Sequence, residues 1–542
     1  MATYQSPGVY VQELPGPQLI TAASTSNTAF VGLATQGPTD QPVLITSWNA
    51  FVQTFGGFAM GMQMPFSVYA FFSQGGAICY VTRATQAGVE TATWADGSLT
   101  LNAASGGAWG DQVSVSVYDY PSSPAGGSPS QIFGISVTYT LPAAGQPLSV
   151  MDQLVQIYAA SNNIPIVNTG GVLTVQVEQF NGFSPNDLGK PNGDVTQPSP
   201  LETRINSSSI FIRAVVTDAL KTRPANAPAT ALSGGAGDPV STPMDLATAL
   251  SALDPIDNIS LLVAPESVWI PDYGTQQEVV QQTINYVESR PHLDLFYIAD
   301  CPVGLSVQDM DSFKTGAASP DGTIPAGNAL HSSYAAIYYP WITFLNTASN
   351  MNVPVPLSGT MAGTYAATDT AVGPWQSAAG VTYGSLGIAT GVERKLTTTD
   401  QAVLNPDGIN CIRSMVNYGI VAYGARTLST DPSLTYVAVR RLLIEIEVSL
   451  YNGLQWVVFE ANTPKLWGSV TRDVTEFLTS MWRAGALFGA SAADAFQVQC
   501  DAGNNPPDLQ AQGQLYVDIK VRPVYPAEFV IIRIQQATLG AS

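Results

Sequence analysis

Charge is scarce in this chain. Acidic and basic side chains together make up 11% of its 542 residues, against roughly 25% in an ordinary globular domain. Positive charge is scarcer still: 20 Lys and Arg face 40 Asp and Glu, a formal net charge of −20. Without a basic footprint the chain is not expected to bind nucleic acid or to adsorb to anionic lipid. Histidine is almost missing, with only His292 and His331. The four cysteines, Cys79, Cys301, Cys411 and Cys500, form no Cys-x-x-Cys pair. In apolar surroundings and far apart, they read as small buried hydrophobes, not as a disulfide framework. No apolar run approaches the ~18 residues that span a bilayer, so direct membrane insertion is not expected. Residues 1–30 lack a basic stretch followed by an apolar one, so cytoplasmic synthesis is expected.

Motifs that carry chemistry are missing too. There is no H-E-x-x-H, no G-x-x-x-x-G-K-[ST], no G-x-S-x-G and no G-x-G-x-x-G. "GGAG" (234–237) comes nearest to a phosphate loop, but it lacks the lysine and lies in the Pro/Gly/Ala stretch 222–243. His292 follows a proline at a helix–strand junction, where a surface loop histidine is the default. The carboxylates are scattered, with no pair placed for acid–base work. No catalytic, cofactor or metal residue is assigned. An enzyme whose site is assembled from distant loops is kept as one alternative. A capsid or adhesin subunit, which shares the low charge and β content, is another.

Turn formers are plentiful, with 48 Gly and 38 Pro, which favours strands and turns over long helices. Residues 1–28 carry Pro7, Pro15 and Pro17 and read as an extended arm. Strands are predicted at 29–33, 43–45 and 77–84, with a Ser47-capped helix over 48–55 and an apolar helix at 65–74 stopped by two glycines. From 86 to 224 period-two segments such as "DQVSVSVYDY" indicate a β-rich module with one helix near 149–160. From 244 to 345, fully apolar strands ("ISLLVAPE", "LDLFYIAD", "AAIYYPWI") alternate with helices, which implies a sheet covered on both faces. A long helix is predicted within 435–460. A second, amphipathic one follows Thr463 and Pro464, with Val470, Val474, Phe477, Leu478, Met481 and Trp482 on one face; periodicity alone makes it a core helix. "QLYVDIKVR" (514–522) alternates strictly. Pro523 and Pro526 then interrupt the chain before a last predicted strand, "EFVIIRI" (528–534). Both terminal segments are thus β-prone and lie beyond prolines, although unpaired edges invite aggregation.

Several blocks resemble contractile tail sheath proteins, which form the outer sheath of contractile phage tails, R-type tailocins and extracellular contractile injection systems. They are "LNPDGINCIRSMVNYGIVAYGARTLSTDPSLTYVAVRRLLIEIEVSL" (404–450), "QWVVFEANTPKLWGSVTRDVTEFLTSMWRAG" (455–485) and "VRPVYPAEFVIIRIQQ" (521–536). "YQSPGVYVQE" and "TAFVGLATQGPTDQPVLITSWNAFVQTFGGF" near the start are similar to the family as well. The resemblance implies a multidomain α/β and α+β fold. Its discontinuous inner core (29–85 with 395–527) would be completed by terminal strands exchanged between subunits. A middle α/β domain (225–394) and an outer β-rich domain (86–224) would be nested insertions. The exchanged arms would be 1–28, with Pro7, Gly8, Val9, Tyr10, Val11, Gln12 and Glu13, and 528–542, with Glu528, Phe529, Val530, Ile531, Ile532, Arg533 and Ile534. The implied partners are copies of the chain in a helical or stacked-ring homopolymer, an inner tube protein, and baseplate and terminal cap proteins. Lys465, Arg472 and Arg483 are candidates to meet acidic groups of the tube; solvated helix charges are the simpler account of them. No cofactor is implied. The particle could be a phage tail or a bacterial injection device.

Overall fold

A computed structural model describes residues 19–86, 88–97, 99–121, 131–146, 148–191, 194, 196–217, 222–236, 244–266, 273–347 and 349–533. The chain divides into two compact units, residues 24–441 with 526–542, and residues 1–23 with 442–525.

The larger unit starts with β1 (Thr28–Gly32), buried at every position, and β2 (Val43–Ile45). Ser47 caps α1 (Trp48–Phe55) by accepting the Ala50 N–H at 3.2 Å. α2 (Met64–Gln74) has a proline in its first turn and ends at Gly75, whose φ of 118° a side chain would resist. β3 (Cys79–Arg83) follows. These elements lie where the sequence places them.

The β-rich module comprises β4 (Thr93–Asp96), β5 (Leu99–Ala103), β6 (Val113–Asp119), β7 (Phe133–Leu141), α3 (Val150–Ser161), β8 (Ile166–Thr169), β9 (Val172–Phe183), α4 (Pro200–Ser208), β10 (Ile212–Val216) and β11 (Ala227–Ala231). It forms two antiparallel sheets, in the orders β10-β5-β4 and β11-β6-β7-β9-β8. In β6 the valines at 113, 115 and 117 are buried and the serines between them are not, the alternation read from the sequence. β11 pairs with β6, and Glu90 and Ala236 exchange backbone hydrogen bonds in both directions. The module therefore closes near 90 and 236, because its last strand lies inside the Pro/Gly/Ala stretch 222–243 that looked like a linker.

The unit continues through α5 (Leu246–Ser251), β12 (Leu261–Val263), α6 (Tyr273–Ser289), β13 (Phe296–Asp300), α7 (Val307–Thr315), β14 (Ala335–Tyr339), β15 (Ile342–Asn346), β16 (Met351–Val355), α8 (Leu357–Ala371), α9 (Gly380–Tyr383), β17 (Ala389–Val392), α10 (Thr398–Leu404), β18 (Ile409–Met415) and β19 (Gly419–Ala422). "AAIYYPWI" becomes two strands in different sheets, divided at Pro340. An eight-stranded sheet runs β19-β18-β14-β13-β12-β1-β3-β2. Its six inner strands are parallel, and β2 and β19 are antiparallel edges. β1, β12, β13 and β14 are buried on both faces, as crossover helices require. α2 and α8 pack on each other and, with α5 and α6, on these strands.

β1 pairs with β3 on one side and β12 on the other, so residues 28–83, expected in an inner core with 395–527, share one sheet with 261–339. β18 and β19 join it at the other edge.

The smaller unit holds most of α11 (Val437–Gly453), with α12 (Pro464–Arg483), α13 (Ala492–Ala495), β20 (Phe496–Gln499), α14 (Pro507–Ala511) and β21 (Asp518–Val521). The division falls inside α11, after Arg441. Thr463 takes the N-cap position of α12, but its side chain makes no capping bond. The alternation over 515–522 is real: odd positions are half-buried and even ones exposed. Only 518–521 pair as a strand. The buried Asn505 side chain takes the place of a strand partner at Tyr516, bonding its N–H at 2.7 Å and its carbonyl at 3.0 Å.

Candidate assembly sites

The C-terminal arm differs from the prediction of a strand. Residues 528–533 pair with no strand among the described residues. Phe529, Val530, Ile531 and Ile532 are 71–79% exposed, four adjacent apolar side chains in water. Arg533 is exposed, and Ile534 lies outside the described residues. The N-terminal arm residues Pro7, Gly8, Val9, Tyr10, Val11, Gln12 and Glu13 also lie outside them.

Glu528 behaves unlike the rest of its segment. The Arg426 guanidinium grips its carboxylate, with Nε at 3.0 Å from Oε1 and Nη2 at 2.6 Å from Oε2. Asn405 Nδ2 donates to Oε1 at 2.7 Å and Tyr436 Oη to Oε2 at 2.9 Å. Partial burial opposes ionisation, but these bonds outweigh it and hold the Glu528 pKa below the usual carboxylate range. The receptor is itself fixed. Buried Asn410, on β18, accepts the Arg426 N–H at 2.7 Å and donates to the Arg426 carbonyl at 2.7 Å. A Cβ on Gly424 would lie 2.9 Å from Asn410 atoms, so only glycine lets the chain pass this close. Sequence reading placed Glu528 among the exchanged residues and missed Asn405, Arg426 and Tyr436. All three stand in the quoted 404–450 block, and an arginine in a turn beside small residues was the available signal.

In the smaller unit, β20 and β21 form a two-stranded antiparallel sheet. Among the described residues neither has a second strand partner. Beside it Trp482, Leu487, Phe488, Gly489, Ala490 and Val524 line an open apolar groove with Arg483 at its rim. Phe488 projects into solvent. Phe459, in the loop before α12, is fully exposed and held at φ 70°, a conformation that strains a bulky residue. Apolar periodicity gives no hint of it.

α12 is two-faced, as predicted. Leu466, Trp467, Val470, Val474, Phe477, Leu478 and Met481 are buried; Trp482, expected with them, is half-buried and lines the groove. Lys465, Arg472, Glu476 and Arg483 are exposed, and spacings of seven, four and seven residues align them on one stripe. Arg472 bends back to the buried Asp473 at 3.1 Å, so the stripe presents two unengaged cations, not three, at its ends.

The large sheet uses its own carboxylates where folds of this type often hold anionic ligands, at strand carboxyl ends facing helix N-termini. Glu266, after β12, accepts the Gln63 and Met64 N–H groups at 2.6 and 2.7 Å at the start of α2. Asp300, ending β13, accepts the Ser358 N–H at 2.7 Å at the start of α8. Burial pushes their pKa values up to about 8 and about 7, against the opposing pull of those hydrogen bonds. No cluster of metal-ligating side chains occurs among the described residues. No described helix is long and apolar enough to cross a membrane.

Residues 429–537 match the phage tail sheath C-terminal domain. The tail sheath protein of Vibrio phage KVP40 is 22% identical over 556 aligned positions, covering 96% of this chain and 76% of that protein. The tail sheath protein of Burkholderia phage BcepMu is 28% identical over 268 positions, 48% of this chain and 52% of that protein. Among solved structures, the contracted helical sheath of the anti-feeding prophage aligns with TM-score 0.55 and 21% identity, covering 99% of this chain and 100% of that one. The contracted sheath of the extracellular contractile injection system PVC aligns with TM-score 0.55 and 19% identity, 99% of each chain. The chain is thus similar to tail sheath proteins along nearly its whole length, matches the phage tail sheath C-terminal domain near its end, and shares its fold with two contractile sheaths.

Proposed function

We propose that the chain is the repeating subunit of a contractile sheath that polymerises around an inner tube and later shortens, driving the tube through a target envelope. The observation that carries this reading beyond the likeness to tail sheath proteins is the run Phe529–Ile532, apolar, β-prone and exposed. Such a segment is a liability in a monomer and a donor strand in a polymer. The acceptor is the β20–β21 sheet of an adjacent copy, with the apolar groove beside it for alternate side chains of the incoming strand. Residues 7–13 are a second donor. Donor and acceptor are different surfaces, so the contact is heterologous and propagates as rings or a helix without closing on itself.

The work is mechanical and collective. Subunits move largely as rigid bodies while the exchanged arms act as hinges that keep the lattice connected. The extended state is metastable, and the contracted packing makes better contacts. A gain of about 5 kcal/mol per subunit already makes the switch of a single copy one-way, and the lattice sums it. Lys465 and Arg483 on α12 face acidic groups of the tube, and baseplate and cap proteins terminate the polymer.

Purified full-length chain examined by negative-stain microscopy should give hollow tubular sheaths. Removing residues 1–14, or 529–542, should leave folded subunits that no longer polymerise. Closed shells, or tubes of normal length from either truncation, would refute the reading.

A further inference from the structure

Arg426, Asn405 and Tyr436 form a complete receptor for one carboxylate, and the residue they hold sits at the root of an exposed strap. Among the described residues no strand is formed from 527 to 533, and residues 529–533 are exposed. Between Arg441 and Pro526 the chain leaves the larger unit and comes back, and Glu528 is where it is refastened. The fastening is charge-assisted and two-pronged, which fixes direction as well as position. On the receptor side the main chain of Arg426 is clamped by Asn410, and its Nη1 donates to the Asn405 carbonyl at 3.2 Å. At the near end of α11, Arg441 grips Asp369 at 2.5 Å, and Arg440 lies 4.3 Å from the centre of the Tyr334 ring. The receptor therefore stands on a rigid part of the fold.

We propose that this clasp is a positioning site: it fixes the point and direction from which the C-terminal arm leaves its own subunit, so that Phe529–Ile532 reaches a second copy of the chain already aimed. The inference rests on the strand-exchange reading above. Without the clasp the arm would sample many directions and lose that freedom on docking. A clasped arm has already lost most of it, which raises affinity without adding a contact. The clasp also explains why a glutamate precedes an apolar strand and why "GARTLS" carries an arginine.

The test uses the full chain. Glu528→Ala and Arg426→Ala should each raise the concentration needed for sheath assembly about tenfold or more, with thermal midpoints close to that of the unaltered chain. Glu528→Gln, which keeps the Asn405 bond and loses the charge, should fall between. The four native cysteines are buried, so spin labels can be placed at Ile531→Cys and Asn417→Cys in the unassembled subunit. The distance distribution should be narrow with Glu528 present and broad in Glu528→Ala, a change that loss of general stability would not produce. If Arg426→Ala fails to fold, Glu528→Ala decides, since it alters only the strap. Glu528→Ala assembling at the normal concentration with a narrow distribution overturns the clasp. Deletion of 529–542, which retains Glu528, tests exchange separately: if that deletion also assembles normally, the exchange reading falls with it.

Discussion

At the scale of single residues, burial displaces the protonation of several internal carboxylates. Glu266 caps α2 from across more than 200 residues of sequence, accepting the Leu33, Gln63 and Met64 N–H groups, and its second oxygen has no partner among the described residues. Its pKa in the folded chain is raised from 4.5 to about 8, mainly by burial. A raised folded value means that its contribution to stability is complete below about pH 4.5 and is lost as pH climbs through about 8. Glu266→Gln should remove that share of the loss, worth on the order of a few kcal/mol for a shift of this size. Urea unfolding between pH 5 and 9 should show the unaltered chain weakening more steeply than the variant, in which buried Asp300, raised to about 7, still titrates; parallel profiles would remove Glu266 as a cause. None of this is legible in sequence, because a cap supplied from another strand has no local spacing. Glu528 shows the same limit: its place in an arm is readable, its receptor is not.

At the scale of elements, local patterning decided most of what is seen. α1, α2, α3, α11 and α12 lie where caps, glycines and apolar spacing put them, because each is set by a few neighbouring residues. The exceptions need partners distant in sequence. The strand expected over 514–522 is curtailed by Asn505, and residues 528–533 of the one expected over 528–534 have no strand partner among the described residues. α12 carries the element-scale prediction. Its buried face makes it structural, so Leu478→Ala should lower stability by about 2–5 kcal/mol, read as a fall in the unfolding midpoint. Its exposed stripe should be separable from that role. Lys465→Glu with Arg483→Glu should leave the midpoint within about 0.5 kcal/mol and impair assembly on purified tube; assembly at the normal rate would return these cations to plain surface solvation.

At the scale of the molecule, the β-rich module behaves as an insertion whose ends meet. Glu90 and Ala236 are hydrogen-bonded neighbours, about 5.5 Å apart in such a pair, so a short glycine–serine bridge can replace residues 91–235. The cost lies in side contacts such as Asn162 with Asn352, bonded in both directions at 2.7 Å, and Ser105 with the Met60 carbonyl at 2.8 Å. The shortened chain should fold with a lower thermal midpoint and still form sheaths under the microscope; an aggregated product would show that the module is integral to the larger unit. By itself the sequence determined most kinds of element and their order, the resemblance to tail sheath proteins and the β-prone character of both arms, since these depend on neighbours along the chain and on patterns that need no partner to be read. Only the tertiary structure decided which strands share a sheet, that residues 28–83 lie with 261–339 and not with the 442–525 unit, and that one carboxylate ties down the arm. Those outcomes depend on hydrogen bonds between groups hundreds of residues apart, whose pairing no local pattern encodes.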